Sequence, residues 1–240
     1  MNDTGKTIAK NAGFLMVSQL MTWSMSILLM VFLPRYLGAT SIGQLHLAGS
    51  VWAIIMIFVS FGMSFLLVKE TARSKERFSD LAGTSLVIRF LFFFIAIGFL
   101  AVYLQWVNYS SQAVWVIVIL GISNFVGQVG DVYQDSLVGN ERMEYIAYAD
   151  VAGKLFNTIA SLILLFMGFG IIVISLAIIG STFVQVTMKV YAVKRIQPIK
   201  LNFRRDLVEW ILKASFPFFL LVVFRTIYIQ LDVVIISWLV

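Results

Sequence analysis

Apolar residues gather along this chain in six long runs and the start of a seventh, separated by short polar stretches. Gly13–Leu33, Gln44–Val68, Leu81–Gln105, Ala113–Val138, Tyr145–Met167 and Ile171–Val193 are each about 21 to 26 residues long. At about 1.5 Å of rise per residue, a helix of that length crosses a hydrocarbon core about 30 Å thick. The pattern therefore predicts a membrane-spanning helix for every run. Lys213 opens one more apolar run, Ala214–Val240, which reaches the last residue without a polar flank. It reads as the truncated front part of a seventh span in a longer protein.

The stretches between the runs alternate in charge. From the N-terminus onward they hold 2, 1, 4, 0, 1, 0 and 6 lysines and arginines. Basic residues mark the cytoplasmic side of a membrane, so the N-terminus is expected in the cytoplasm of a cell (plasma or inner) membrane protein. The outer connections Pro34–Gly43, Trp106–Gln112 and Gly168–Gly170 are short enough to pair consecutive helices as antiparallel neighbours. On the inner side lie Lys69–Asp80, Gly139–Glu144 and the longest connection, Lys194–Leu212, which contains Pro198 and an amphipathic tail from Asp206. Three units follow: residues 1–193 as an N-lobe of transmembrane helices one to six, 194–212 as a cytoplasmic basic linker or interfacial helix, and 213–240 as the start of a C-lobe. Six spans before a fresh start on the same side suggest two bundles related as a parallel repeat.

Composition agrees. The chain is 60% hydrophobic and 12% charged, with a mean hydropathy of +0.95. Its net charge of +6 arises from topology, because thirteen of the eighteen cations fall in the cytoplasmic stretches; no nucleic-acid partner is implied. With no cysteine, disulfides, thiolate metal sites and cysteine nucleophiles are excluded. No Walker-type lysine motif, H-E-x-x-H or nucleophile elbow occurs, so no ATP-driven step, metal or cofactor is expected.

Polar residues inside the spans carry the chemistry, because hydrocarbon penalises them unless they face a partner or a wet cavity. Asn124, Gln128, Asp131 and Asp135 recur at i, i+4, i+7 and i+11, one stripe of a helix. Asp150, Lys154, Asn157 and Ser161 repeat that spacing. Ser175, Thr182, Gln185 and Lys189 mark the sixth span, and Ser18, Thr22 and Ser26 the first. An aqueous cavity among these helices is favoured for the Asn124 to Asp135 stripe, while the hydroxyls fit a cavity and helix-to-helix bonding equally well. Asp150 and Lys154, in the acid-first i, i+4 order, read first as an intrahelical pair. Arg89 is nine residues past Asp80 and within snorkelling reach of the surface. Arg225 is twelve residues past Lys213, about 18 Å along the helix, too deep to snorkel and the leading site candidate; Asp232 shares its face. The single histidine, His46, reads as a packing or interfacial residue.

Several short segments resemble those of polysaccharide-biosynthesis flippases of the multidrug/oligosaccharidyl-lipid/polysaccharide exporter superfamily. They are Arg35-Tyr36-Leu37-Gly38 with Gly43, Phe61-Gly62-Met63-Ser64, Lys69-Glu70-Thr71-Ala72-Arg73, Gly139-Asn140-Glu141-Arg142 and Lys213-Ala214-Ser215-Phe216-Pro217. Lys69 stands where arginine is more usual, and His46-Leu47 is atypical. The resemblance implies an all-α, two-lobed transporter of twelve or fourteen helices, not an enzyme. It implies a substrate built as an oligosaccharide on a polyprenyl phosphate or diphosphate, flipped by alternating access for polysaccharide, O-antigen or lipopolysaccharide assembly. Arg225, Lys154 and Arg89 would meet the phosphate, and Asn124, Gln128 and Asn157 the sugar. Asp131 and Asp135 are left between a coupling proton or sodium ion and contacts to sugar hydroxyls. Membrane lipids, a glycan polymerase and glycosyltransferases are the implied partners. A cation-coupled multidrug exporter of the same superfamily and a membrane scaffold for glycan assembly are the rival readings.

Overall fold

A computed structural model describes the backbone of residues 3–74, 77–107, 109–196 and 202–239, and the side chains of these stretches between 9 and 226. Among the described residues there are seven helices and no strand. They are α1 (Asp3–Ser60), α2 (Met63–Arg73), α3 (Phe78–Trp106), α4 (Ser111–Gly139), α5 (Met143–Phe166), α6 (Ile171–Ile196) and α7 (Asp206–Leu239). Six of them are long and apolar enough to cross a membrane.

α1 accounts for two of the expected spans. Its one non-helical residue is Gly38, at φ 78 and ψ 165, a conformation that only glycine adopts without a steric cost. Side-chain contacts locate the legs on either side of it. Asn11 Nδ2 donates to the Glu141 carbonyl (2.9 Å) at one end of α4, and Gln44 Nε2 donates to Ser110 Oγ (3.2 Å) at the other. Further on, Thr71 packs directly on Gly139, back at the first end. The chain therefore runs up, reverses at Gly38 and runs down. The expected ten-residue turn at Pro34–Gly43 is instead helical apart from one glycine, because a single residue at positive φ is enough to turn the axis.

The second expected span, Gln44–Val68, is not one continuous helix. Phe61 (φ 43) and Gly62 (φ 70) are both left-handed and split it into the second leg of α1 and the short α2. α7 is seated on this break. A Cβ on Gly62 would lie 2.5 Å from the backbone nitrogen of Phe219 and 2.8 Å from the carbonyl oxygen of Ser215, so the position has room for hydrogen alone. The Phe61 ring stacks on Phe219 at 4.6 Å and meets Phe92 edge-on at 5.7 Å. Such aromatic pairs contribute about 0.5–1.5 kcal/mol beyond simple burial.

The connection 194–212 is also resolved differently from the expectation. α6 extends to Ile196, and the amphipathic tail from Asp206 is the first part of α7, continuous with the apolar run that begins after Lys213. Pro198 and its neighbours at 197–201 lie outside the described residues. The visible end of the connection is strapped to the start of α3. Arg204 N–H donates to Thr84 Oγ1 (3.0 Å), Asn202 Nδ2 donates to Asp80 Oδ1 (3.2 Å), and Arg204 Nη1 donates to Asp80 Oδ2 (3.3 Å).

α4 is the central helix and packs against α1, α2, α3, α5 and α6. Its apolar neighbours include Trp52, which stacks on Phe93 at 5.3 Å and donates Nε1–H to the Ile117 carbonyl at 2.8 Å. The outer faces of the helices carry exposed Met16, Leu20, Met30, Phe94, Phe99 and Phe166, as lipid-facing surfaces do. Lipid is as apolar as these side chains, so cohesion rests on close packing and interhelical hydrogen bonds. Ser123 and Thr182 supply one such bond, 2.6 Å between their hydroxyls.

Candidate functional site

Two adjoining groups of polar residues occupy the bundle. The first is a buried charge cluster around α4. Arg89 on α3 is fully buried, and its Nη2 donates to Ser64 Oγ on α2 (2.9 Å) and to Asp135 Oδ2 on α4 (3.3 Å). The snorkelling expected of Arg89 does not occur: the guanidinium is turned inward, onto a carboxylate 46 positions away. Opposite charge and two hydrogen bonds from Nη2 offset part of the desolvation that a lone arginine would suffer, while Nε and Nη1 are buried without a partner among the described residues. On the other side of α4, Lys189 of α6 donates to Gln134 Oε1 (2.6 Å) and pairs with Asp150 Oδ1 of α5 (3.2 Å). Asp131, half-buried on the same stripe as Asp135, feels the charges of Arg89, Lys189 and Asp150. Asn124 turns its amide back to the Leu120 carbonyl (2.8 Å), and fully buried Gln128 donates to the Met56 sulfur (3.6 Å).

The second group lines a cavity of about 450 Å³ between the two legs of α1 and helices α5 and α6. Its polar lining is Lys154, Asn157, Ser161, Ser26, Ser175 and His46. Ser161 Oγ donates to Asn157 Oδ1 (3.4 Å), which leaves the Asn157 amide hydrogens free to point elsewhere. Lys154 is half-buried and, among the described residues, has no ion-pair partner. The i, i+4 pair with Asp150 expected from spacing is absent, because Lys189 holds Asp150 from a different helix. A cationic ammonium, an amide and several hydroxyls in one cleft make a site for an anionic or polyhydroxylated ligand.

The structure thus brings Lys154 and Asn157 together, and separately Arg89, Asp131 and Asp135. It does not bring Arg225 to either group: α7 packs on α1, α2 and α3, and Arg225 is exposed there. The side chain of Asp232 lies outside the described residues. Two contributors were not assigned from sequence. His46 has no periodic companion to mark it, and Lys189 had a signal, its place on the polar stripe of α6, but not a partner.

At the end of the bundle that holds the N-terminus, charges pair locally, one of them the buried Glu144. Lys10 and Arg142 both reach Glu144 (3.7 and 3.4 Å), and Arg204 forms a two-pronged pair with Asp206. Hydrogen bonds to Asp206 and then to Asp80 push the Arg204 guanidinium above its ordinary value, so it stays charged at any working pH.

Apolar helices packed around buried charges and a polar cleft define an all-α, multi-pass membrane protein. Comparison with protein families carries this further: the polysaccharide biosynthesis protein family matches residues 8–240. The chain belongs to that family. No curated protein and no solved structure matches it.

Proposed function

We propose that this protein is a flippase, a transporter and not an enzyme, that moves an oligosaccharide linked to a polyprenyl phosphate or diphosphate across the cell membrane. Polysaccharide synthesis uses sugars that cannot cross hydrocarbon unaided, whereas their lipid anchors are at home in it. The observation that carries the reading is the cleft of about 450 Å³ with Lys154, Asn157, Ser161 and Ser175 between membrane helices. Lys154 answers the phosphate and the amide and hydroxyls answer sugar hydroxyls. Arg225, exposed on α7 and outside this cleft, offers a cation to the phosphate at another point of its route. Asp131 and Asp135 remain candidates for a coupling ion or for sugar contacts.

The N-terminus is assigned to the cytoplasmic face from the basic stretches, so loading occurs from that side and release on the other, by rocking of one bundle against another. A polymerase and glycosyltransferases then act on the glycan before and after transfer. A multidrug exporter of the same superfamily would take organic cations, and a cleft lined, among the described residues, by an ammonium and no carboxylate repels them.

The test is Lys154→Met in the intact protein, with surface glycan and membrane protein level measured together. Glycan falling tenfold or more at an unchanged protein level is expected. Wild-type glycan from that variant would overturn the assignment of the cleft.

A further inference from the structure

Lys154 stands four residues after Asp150 on one helix, the order in which an acid and a base pair most readily. It nonetheless has no ion-pair partner among the described residues, and Asp150 is held instead by Lys189 at 3.2 Å. Lys189 is 6% exposed and doubly held, by Asp150 and by Gln134 at 2.6 Å. It does not line the cleft that Lys154 lines. One carboxylate therefore lies within reach of two ammonium groups, and the more deeply buried one has captured it.

We infer that Lys189 is a positioning residue for the cleft: by neutralising Asp150 it prevents the Asp150–Lys154 pair and keeps the Lys154 ammonium available to an anionic ligand. The inference rests on the reading of the cleft as the anion-binding site given above. Its physical basis is competition. The buried member of the pair is Lys189, whose side chain is 7% exposed against 40% for Asp150. Burial therefore holds Lys189 on the carboxylate, and its loss leaves Asp150 to the acid-first i, i+4 partner on its own helix, Lys154. The cleft would then present a neutral ion pair in place of a cation, although no residue in its lining had been changed. Lys189 in this way sets the charge of a site it does not touch.

The experiment follows the reactivity of the Lys154 amine in the purified full-length protein, using N-hydroxysuccinimidyl acetate and peptide mass spectrometry. A free amine acetylates, and one locked to a carboxylate does so more slowly. Lys154 is expected to acetylate at least threefold more slowly in Lys189→Met than in the wild type, and to recover in Lys189→Met/Asp150→Asn, where no carboxylate remains to capture it. Surface glycan is expected to fall in the single variant and return in the double one, at matched protein levels. Equal acetylation of Lys154 in the wild type and Lys189→Met overturns the inference, as does a double variant no more reactive than the single. If Lys189→Met fails to accumulate, Lys189→Gln, which can still bond Gln134, replaces it in both arms. A loss of stability alone would leave the relative reactivity of Lys154 in the folded protein unchanged. Normal glycan export by Lys154→Met would defeat the export reading and leave the acetylation result to decide the pairing.

Discussion

Arg89 and Asp135 form an ion pair at 3.3 Å between α3 and α4, with the guanidinium completely shielded and Ser64 of α2 as its other acceptor. Three helices therefore meet at one buried cation, directly beneath the break at Phe61–Gly62. Removing one member leaves the other charged and unpaired, which costs about 3–5 kcal/mol. Arg89→Met should accordingly lower stability by that amount in detergent unfolding. Arg89→Met/Asp135→Leu, which removes both charges, should recover most of the loss. A double variant as unstable as the single would show that Asp135 is not the partner that matters.

Gly62→Ala probes the seat of α7. The new methyl would meet the Phe219 nitrogen at 2.5 Å, and a left-handed φ costs a residue with a Cβ about 1–2 kcal/mol before any clash. The expected result is a drop in thermal stability of at least that size. Ser64→Ala, two residues on, should cost about 1.5–3 kcal/mol through loss of one hydrogen bond to a charged group. The comparison separates backbone strain from side-chain bonding.

The strap between Asn202–Arg204 and α3 predicts a local effect. Asp80→Asn weakens its hold on Arg204, an exposed pair worth about 1 kcal/mol or less. Global stability should hardly move. Trypsin cleavage after Arg204 should accelerate by up to about fivefold, the factor corresponding to about 1 kcal/mol of local opening. Unchanged cleavage would show that the bonds to Thr84 and to the Ser79 carbonyl hold the segment without Asp80.

Arg225 and Lys154 make a paired prediction about export. Both Arg225→Ala and Lys154→Met should reduce surface glycan by tenfold or more at an unchanged protein level if each meets the phosphate. Lys154→Arg keeps the charge and should retain more glycan than Lys154→Met. Wild-type glycan from Arg225→Ala would remove Arg225 from the route of the phosphate and leave the cleft of α1, α5 and α6 to act alone.

The helices were legible in the sequence because span length and apolar content are properties of the chain itself. What escaped reading depends on single dihedral angles or on distant partners. The break at Phe61–Gly62 sits inside an unbroken apolar run, and hydropathy is blind to the sign of φ. Gly38 was visible as a turn residue, but the helical character on both sides of it was not. For the site, spacing places Asn124, Gln128, Asp131 and Asp135 on one stripe of α4, yet the neighbour that each one meets decides its chemistry. Local spacing favoured Asp150 with Lys154, and only the packing of α6 against α5 brings Lys189 to Asp150 first. His46 illustrates the opposite difficulty, since a lone residue carries no period and becomes meaningful only once α1 has folded back toward α5.

The contact of Asn11 with Glu141 spans 130 positions, and Lys10 reaches Glu144 beside it. A ribosome adding about 5–20 residues each second needs roughly 7–26 s to cover that distance. For that interval the first leg of α1 has emerged but its anchor has not been made. The first leg of α1 can pack on its own second leg early, through Leu33 and Ile42, but its N-terminal anchor to Glu141 and Glu144 is therefore a late arrival in assembly.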